Sequence, residues 1–424
     1  MPDASFQLFY ILKNNGLAIQ IQRFGAAMTQ VFPYLSSLWG CDLDTVAKAY
    51  SLSFPIIYII LGGIILLFYG NTRIGIVYFL FHFLINTHSF FWMQCELIQA
   101  VSLFMVWIAF LEHHLQKNSH NFLFWIVNVS FIITLVYFYP LLILLLGYTF
   151  LFLFSDALFR RNGPMMWSAG LYVCIFGIKN IFFKNYYDSG SMSQLKNVIE
   201  LFPNYLSQHS FHQFGQLIIH DYYGFIILFL VVVHRYYRDR KWAYLSLFLV
   251  FFLGILFLIN ICFAHGAEPF YLEGQYALLA IVLGFPLAYH ILPNWNFRFI
   301  LFFLCSILIL FLYRIVHVQP IYHERVDMYN HLIDSYRGQK VLIHEHEGHR
   351  QKLKMTWGSS YEVWLLSTLE EKTSSSIMIH NNPSSFDWAM HDHHSFFTCW
   401  EVIPYRDLNP RYFVFRDTSA YQKF

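Results

Sequence analysis

The run Trp242-Ala-Tyr-Leu-Ser-Leu-Phe-Leu-Val-Phe-Phe-Leu-Gly-Ile-Leu-Phe-Leu-Ile-Asn-Ile-Cys-Phe263, the polar stretch His265-Gly-Ala-Glu-Pro-Phe-Tyr-Leu-Glu-Gly-Gln275 and a second apolar run over 276–292 decide the fold class. Each apolar run is near the length that one helix needs to cross a bilayer. The stretch between them gathers two carboxylates (Glu268, Glu273), His265, Phe270, Tyr271 and a proline, with Gly266 and Gly274 to let the backbone turn. In a chain that is 57% hydrophobic and 12% charged, that cluster is conspicuous. It reads either as an interfacial loop, with aromatics at headgroup level and acids in water, or as a substrate-facing one.

Similar apolar runs recur from 51 to 316 in this chain of 424 residues with 47 Phe and a mean hydropathy of +0.46. The expected fold is an all-α polytopic membrane bundle of about nine to ten transmembrane segments, with a small C-terminal α/β domain. The segments are 51–69, a short and re-entrant candidate at 75–85, 91–111, 122–139, 141–159, 165–183, 214–234, 242–263, 276–292 and 297–316. Membrane lipid is therefore an expected partner. The formal charge of +2 and the lack of a basic, aromatic-interleaved stripe exclude nucleic acid. No basic-then-apolar signal peptide is read at the start, so targeting is expected to rely on the first span. Of the six cysteines, Cys41 and Cys399 lie outside apolar runs, enough for one disulfide and no framework. No internal repeat is seen.

Lys and Arg in short loops set orientation. The densest clusters, Arg160-Arg161 and Arg235, Arg238, Arg240, Lys241, are placed inside. That puts 184–213, 265–275, the residues after 316 and, on the same count, the first fifty residues outside. Residues 1–50 are read as external helices: Leu17, Ile21, Phe24, Met28 and Val31 repeat at helical spacing, Pro33 and Gly40 break the helix, and Asp42 or Asp44 caps the next. Residues 317–424 form the soluble domain. It carries a helix stripe Val326, Tyr329, Ile333, Tyr336 ending at Gly338, a strand over 340–344, and a capping box of Ser359 and Glu362 ahead of a helix. Further strands are predicted at 376–380, 397–403 and 412–415.

Candidate chemistry gathers toward the outer ends of the spans. Glu96 lies a few residues inside one span, where an ionisable group is costly unless paired or facing a cavity. His220 and Asp221 enter another span, and Lys179 leaves one on the same side. The inner halves of most spans are apolar. His344 and His346 would share a strand face, yet with no His-Glu-x-x-His pattern the two histidine-rich stretches read as solvated loops and no metal ligands are assigned. Neither a phosphate-cradling Gly-rich loop nor a Gly-x-Ser-x-Gly elbow is present.

External helices, about ten spans, a polar outer cavity and an extracytoplasmic α/β domain resemble the C-type integral-membrane glycosyltransferases of bacteria. Arg23-Phe-Gly-Ala-Ala-Met-Thr-Gln30, Pro33-Tyr-Leu35, Tyr50-Ser-Leu-Ser-Phe54, Phe90-Phe-Trp-Met-Gln-Cys-Glu96 and Trp357-Gly-Ser-Ser-Tyr-Glu-Val-Trp-Leu-Leu-Ser367 are similar to stretches of bacterial membrane proteins with that plan. The resemblance implies a bacterial cytoplasmic-membrane location and a polyprenyl-phosphate sugar donor. It also implies a glycan or lipid acceptor and a carboxylate in the first external loop acting as base or metal ligand. Asp42 and Asp44 occupy the comparable stretch, although here no span precedes residue 50. Asp42, Asp44, Glu96 and Glu268 are thus the catalytic candidates. Arg23 or Lys179 would face the lipid phosphate, Trp92, Phe270 and Tyr271 would stack on sugar, and His220, Asp221, His265 and Glu273 complete the binding set. A divalent cation is the one cofactor the resemblance admits. Rival readings are a lipid or glycan transporter, or a non-catalytic component of an envelope assembly.

Overall fold

The computed structural model describes residues 2–155, 163–183, 190 and 193–424, and the Arg160-Arg161 pair lies outside them. The chain is predominantly helical with a small sheet near its end. Among the described residues six helices are long and apolar enough to cross a membrane: Leu43–Phe68, Glu96–Gln116, Gly163–Phe182, Trp242–Cys262, Pro269–Asn294 and Phe297–Ser335. Shorter apolar helices, Thr72–Phe83, Phe122–Phe138 and Leu142–Ser155, stand where three more segments were expected. Thr72–Phe83 reaches about 18 Å, well short of a bilayer core. The expected single span 214–234 is instead two helices, His209–His220 and Tyr223–Arg238, meeting at 92°. The bend falls where Asp221 turns aside to pair with Arg314 and Tyr222 reaches Glu273.

Two helices form the axis of the bundle. The most apolar window is 89% buried in Pro269–Asn294 and 83% buried in Glu96–Gln116, against 17% to 39% for the other four long helices. The others therefore wrap these two and turn their remaining apolar faces outward. Hydrogen bonds pin the packing where water is scarce: Trp107 Nε1 donates to Asn128 (2.8 Å), which donates to Ser168 (2.9 Å), and Tyr148 donates to the Val282 carbonyl (2.7 Å).

The N-terminal fifty residues depart from the predicted stripe. Helix α1, Pro2–Asn14, comes first, and the chain then turns through Ile21 and Gln22 at φ 52° and 59° before α2, Ala27–Leu38. Two consecutive left-handed residues cannot belong to one helix over 17–31. Pro33 sits inside α2, while Gly40 at φ 71° does end the segment. Asp42 caps α3, Leu43–Gly63, accepting from the Thr45 N–H at 3.0 Å, and α3 continues without a break into the first long span.

Beyond the bundle, Phe297–Ser335 is one unbroken helix of 39 residues, so the expected boundary at 316 falls within it. It leads into β1, Lys340–His344, which pairs in parallel with β2, Ser376–His380, and with β3, Gln422–Lys423. Residues 397–403 are not one strand but the closed end of a hairpin, Ser395–Phe397 paired with Val402–Pro404 across a turn at 398–401, and 412–415 contributes only an isolated bridge at Phe415. Helix Ser359–Glu371 forms as expected without its capping box. Ser359 Oγ accepts from the Ile379 N–H (2.9 Å) and Glu362 pairs with Arg325. Phe6, Phe9 and Leu12 of α1 share a core with Tyr361, Trp364, Phe396 and Phe413, so the first helix is built into the C-terminal domain. All six cysteines are free.

Candidate functional site

Where the bundle meets this domain lies a cavity of about 560 Å³. Its walls come from α1 (Asp3, Phe6, Gln7), the turn before α2 (Gln20, Ile21, Arg23), the loop leading into Glu96, Tyr139, the start of helix Pro269–Pro286 (Phe270, Tyr271, Gln275), and Met355, Trp357 and Trp400. Ile21, a β-branched residue held at positive φ, forms part of the wall, a strained backbone of the kind that functional sites retain.

Each wall is held by identifiable contacts. Trp92 stacks on Phe270 at 3.8 Å with ring planes 7° apart, and its indole N–H donates to Asp3 at 2.5 Å. The Arg325 guanidinium lies 5.8 Å from the Trp92 ring centre. Arg23 pairs with Glu96, which opens its helix, and lies 4.8 Å from the Tyr139 ring centre. Trp357 and Trp400 meet at 5.0 Å at the domain end of the cavity, with Phe6 5.1 Å from Trp400. The cavity thus joins two carboxylates, one guanidinium and a set of aromatic faces. Burial pushes the Asp3 carboxyl up to about 6, opposed by the Trp92 hydrogen bond and reinforced by the charge of Glu96.

Five of the predicted residues line this one cavity: Arg23, Trp92, Glu96, Phe270 and Tyr271. Glu268 precedes Phe270 by two positions and faces Lys354 at 4.0 Å, and burial raises its carboxyl above the ordinary range. Glu273 is fully buried and acts on the loop carrying Trp92, accepting from the Thr87 N–H (2.6 Å), the Ser89 N–H and the Tyr222 hydroxyl (2.5 Å). Asp221 is likewise internal, joined to Arg314 and 3.8 Å from His88. Lys179 is buried and donates to the Val136 carbonyl at 3.3 Å. His220 and His265 are exposed. Asp42 and Asp44 lie apart from the cavity, the first as a helix cap and the second paired with Lys48 at 2.6 Å on the surface. Asp3, Tyr139, Trp400 and Arg325 were missed. The signal for Asp3 was present, since Phe6, Phe9 and Leu12 give the first helix an apolar face and an acid in the first turn suits a helix start.

The ends of the spans away from this cavity are less apolar than the sequence implied. Glu112 is buried at the far end of the Glu96–Gln116 helix, accepting from Asn71 (2.7 Å) and Tyr289. Between the two carboxylates the helix is buried from Leu97 to Leu111. Among the described residues no three His, Cys, Asp or Glu side chains converge to hold a metal, so the residues do not supply the divalent cation with a ligand set. His346 and His349 stack on one another at 3.6 Å. In comparisons with known proteins, the chain matches no family model, no curated sequence and no solved structure.

Proposed function

We propose that the chain is a glycosyltransferase-like membrane enzyme that moves a sugar from a polyprenyl-phosphate donor to an envelope glycan or lipid acceptor. The reaction would take place in this cavity, on the extracytoplasmic face of a bacterial cytoplasmic membrane. The observation that carries the reading is the joining of Asp3, Glu96 and Arg23 with stacked aromatic faces in one space of about 560 Å³. Aromatic faces suit the C–H faces of sugar rings, and a guanidinium suits a phosphate leaving group. Asp3 is the better base, because among the described residues its carboxyl has no cationic partner at hydrogen-bond range and burial raises it to about 6. In the step proposed, the acceptor oxygen bonds to the anomeric carbon as the anomeric C–O bond to phosphate breaks. Asp3 takes the hydroxyl proton, and Arg23 receives the lipid phosphate while Glu96 holds its guanidinium in place. The basic run from Arg235 to Lys241 supports the orientation, lying at the far end of Tyr223–Arg238, about 24 Å of helix away from Asp221.

The test is transfer from a panel of polyprenyl-phosphate sugars in proteoliposomes. Asp3→Asn should lower turnover by about 100-fold or more, and Arg23→Gln should raise the donor KM. Unchanged transfer in both variants, or donor movement across the bilayer with no glycosyl product, would sink the enzyme reading.

A further inference from the structure

A second site lies at the opposite end of the bundle, unused by the chemistry above. Helices Tyr223–Arg238 and Pro269–Asn294 run side by side, linked at one end by Tyr222 and Glu273 and at the other by Tyr236 and His290 at 2.7 Å. Beside this second link is a groove of about 430 Å³. Its floor is Ile227, Leu230, Val231 and Ile291, and Arg235 and Arg238 close its end. Ile227 and Leu230 keep 59% and 57% of their surface exposed, on a helix of 16 residues that with its bent neighbour passes as a membrane span. Apolar side chains exposed at that depth face acyl chains. Trp295 stands on the rim, where an indole marks headgroup level.

We propose that this groove binds one anionic glycerophospholipid, its phosphate held by Arg235 and Arg238 and one acyl chain laid along the apolar floor. Charge complementarity selects that occupant. Among the described residues the carboxylate within reach of both guanidiniums is Asp239, 2.8 Å from Arg235 and 3.5 Å from Arg238, so one acid faces two cations. Arg240 and Lys241 follow directly and add to the excess. A zwitterionic lipid would bring its own cation into this field. A soluble anion would leave the apolar floor unused.

Native mass spectrometry of the full chain, in a neutral detergent with phosphatidylglycerol or phosphatidylcholine titrated in, tests this. Phosphatidylglycerol should bind at a single saturable site. Arg235→Gln and Arg238→Gln should each weaken it about fivefold, while phosphatidylcholine binding stays weak and unchanged. Arg238 is at the surface and Arg235 is half-buried, and a melting curve in the same detergent confirms that the variants fold. Leu230→Glu, placed on the floor, should also reduce binding with the arginines intact. Equal binding of the two lipids, full binding in the double arginine variant, or binding of glycerol phosphate as tight as that of the whole lipid would each overturn the proposal.

Discussion

The Arg325–Glu362 pair joins the long helix Phe297–Ser335 to helix Ser359–Glu371, and removing one half of it should cost far more than removing both. Arg325 and Glu362 are 2% and 4% exposed. Arg325 Nε donates to Glu362 at 3.2 Å, and its terminal nitrogen reaches the other carboxylate oxygen, the Met355 carbonyl at 3.0 Å and the Tyr329 hydroxyl at 3.3 Å. Breaking a buried pair by neutralising one partner costs about 3–5 kcal/mol, because the survivor stays charged and uncompensated. Glu362→Gln keeps an acceptor for one guanidinium N–H, so about 3 kcal/mol is expected from the low end of that range. Replacing both, as Arg325→Met with Glu362→Leu, should restore stability to within about 1 kcal/mol of the parent. Urea titration in detergent, followed by tryptophan fluorescence, measures the cycle at pH 7, since Trp364 is buried in the adjoining core. The pH dependence has a defined sign. Burial is the largest single influence and would raise the Glu362 carboxyl, but the Arg325 charge and hydrogen bond, acting with further positive charge nearby, together outweigh it and hold the group below its ordinary 4.5. Its contribution is therefore complete above 4.5 and fades as pH falls below that value. A Glu362→Gln variant within about 1 kcal/mol of the parent at pH 7, or a double variant no better than the worse single one, refutes the reasoning.

Three further outcomes are expected. Transfer should lose rate on the acid side with a midpoint near 6, because Asp3 must be ionised to accept a proton and burial has raised it to about that value; an acid limb near pH 4, read in rate-against-pH profiles, would remove Asp3 from the role of base. Gly25→Ala should destabilise the chain by about 1–3 kcal/mol and displace the neighbouring Arg23, since a Cβ there would enter the space of the buried Phe138 ring, and a fall in melting temperature with a raised donor KM would report it. Glu273→Gln should free residues 86–92 by setting an amide N–H₂ against one of three donors, so hydrogen exchange at Thr87 and Ser89 should speed up about tenfold or more.

The sequence made legible what depends on local pattern. The apolar runs yielded the long helices, β1 and β2 fell where short β-rich runs sat between turns, and Gly338 marked the end of a helix at φ 70°. What it hid depends on distant partners. Glu362 has the spacing of a capping residue, and only Arg325, 37 positions earlier, reveals its ion pair. The stripe from Leu17 to Val31 has helical period, but Ile21 and Gln22 leave helical geometry where the chain turns into the cavity wall. The five residues that meet at the cavity stood out as polar or aromatic groups at span ends. Asp42 and Asp44 stood out equally and are occupied in local capping and pairing. Chemistry-bearing residue types could be picked from the sequence. Their assembly around Asp3 required knowing that the first helix folds back on the last domain.

The helix Phe297–Ser335 behaves mechanically as a lever with one end in the bundle and the other under the sheet. Its 39 residues make a rod of about 58 Å. Pro320 lies within the rod, and by withholding one ladder hydrogen bond from the Val316 carbonyl it supplies the natural place for flexure. Arg325 is five residues beyond that point and rests against Trp92. Flexure at Pro320 would therefore shift Arg325 against Trp92, which couples the angle of the rod to the aromatic wall of the cavity.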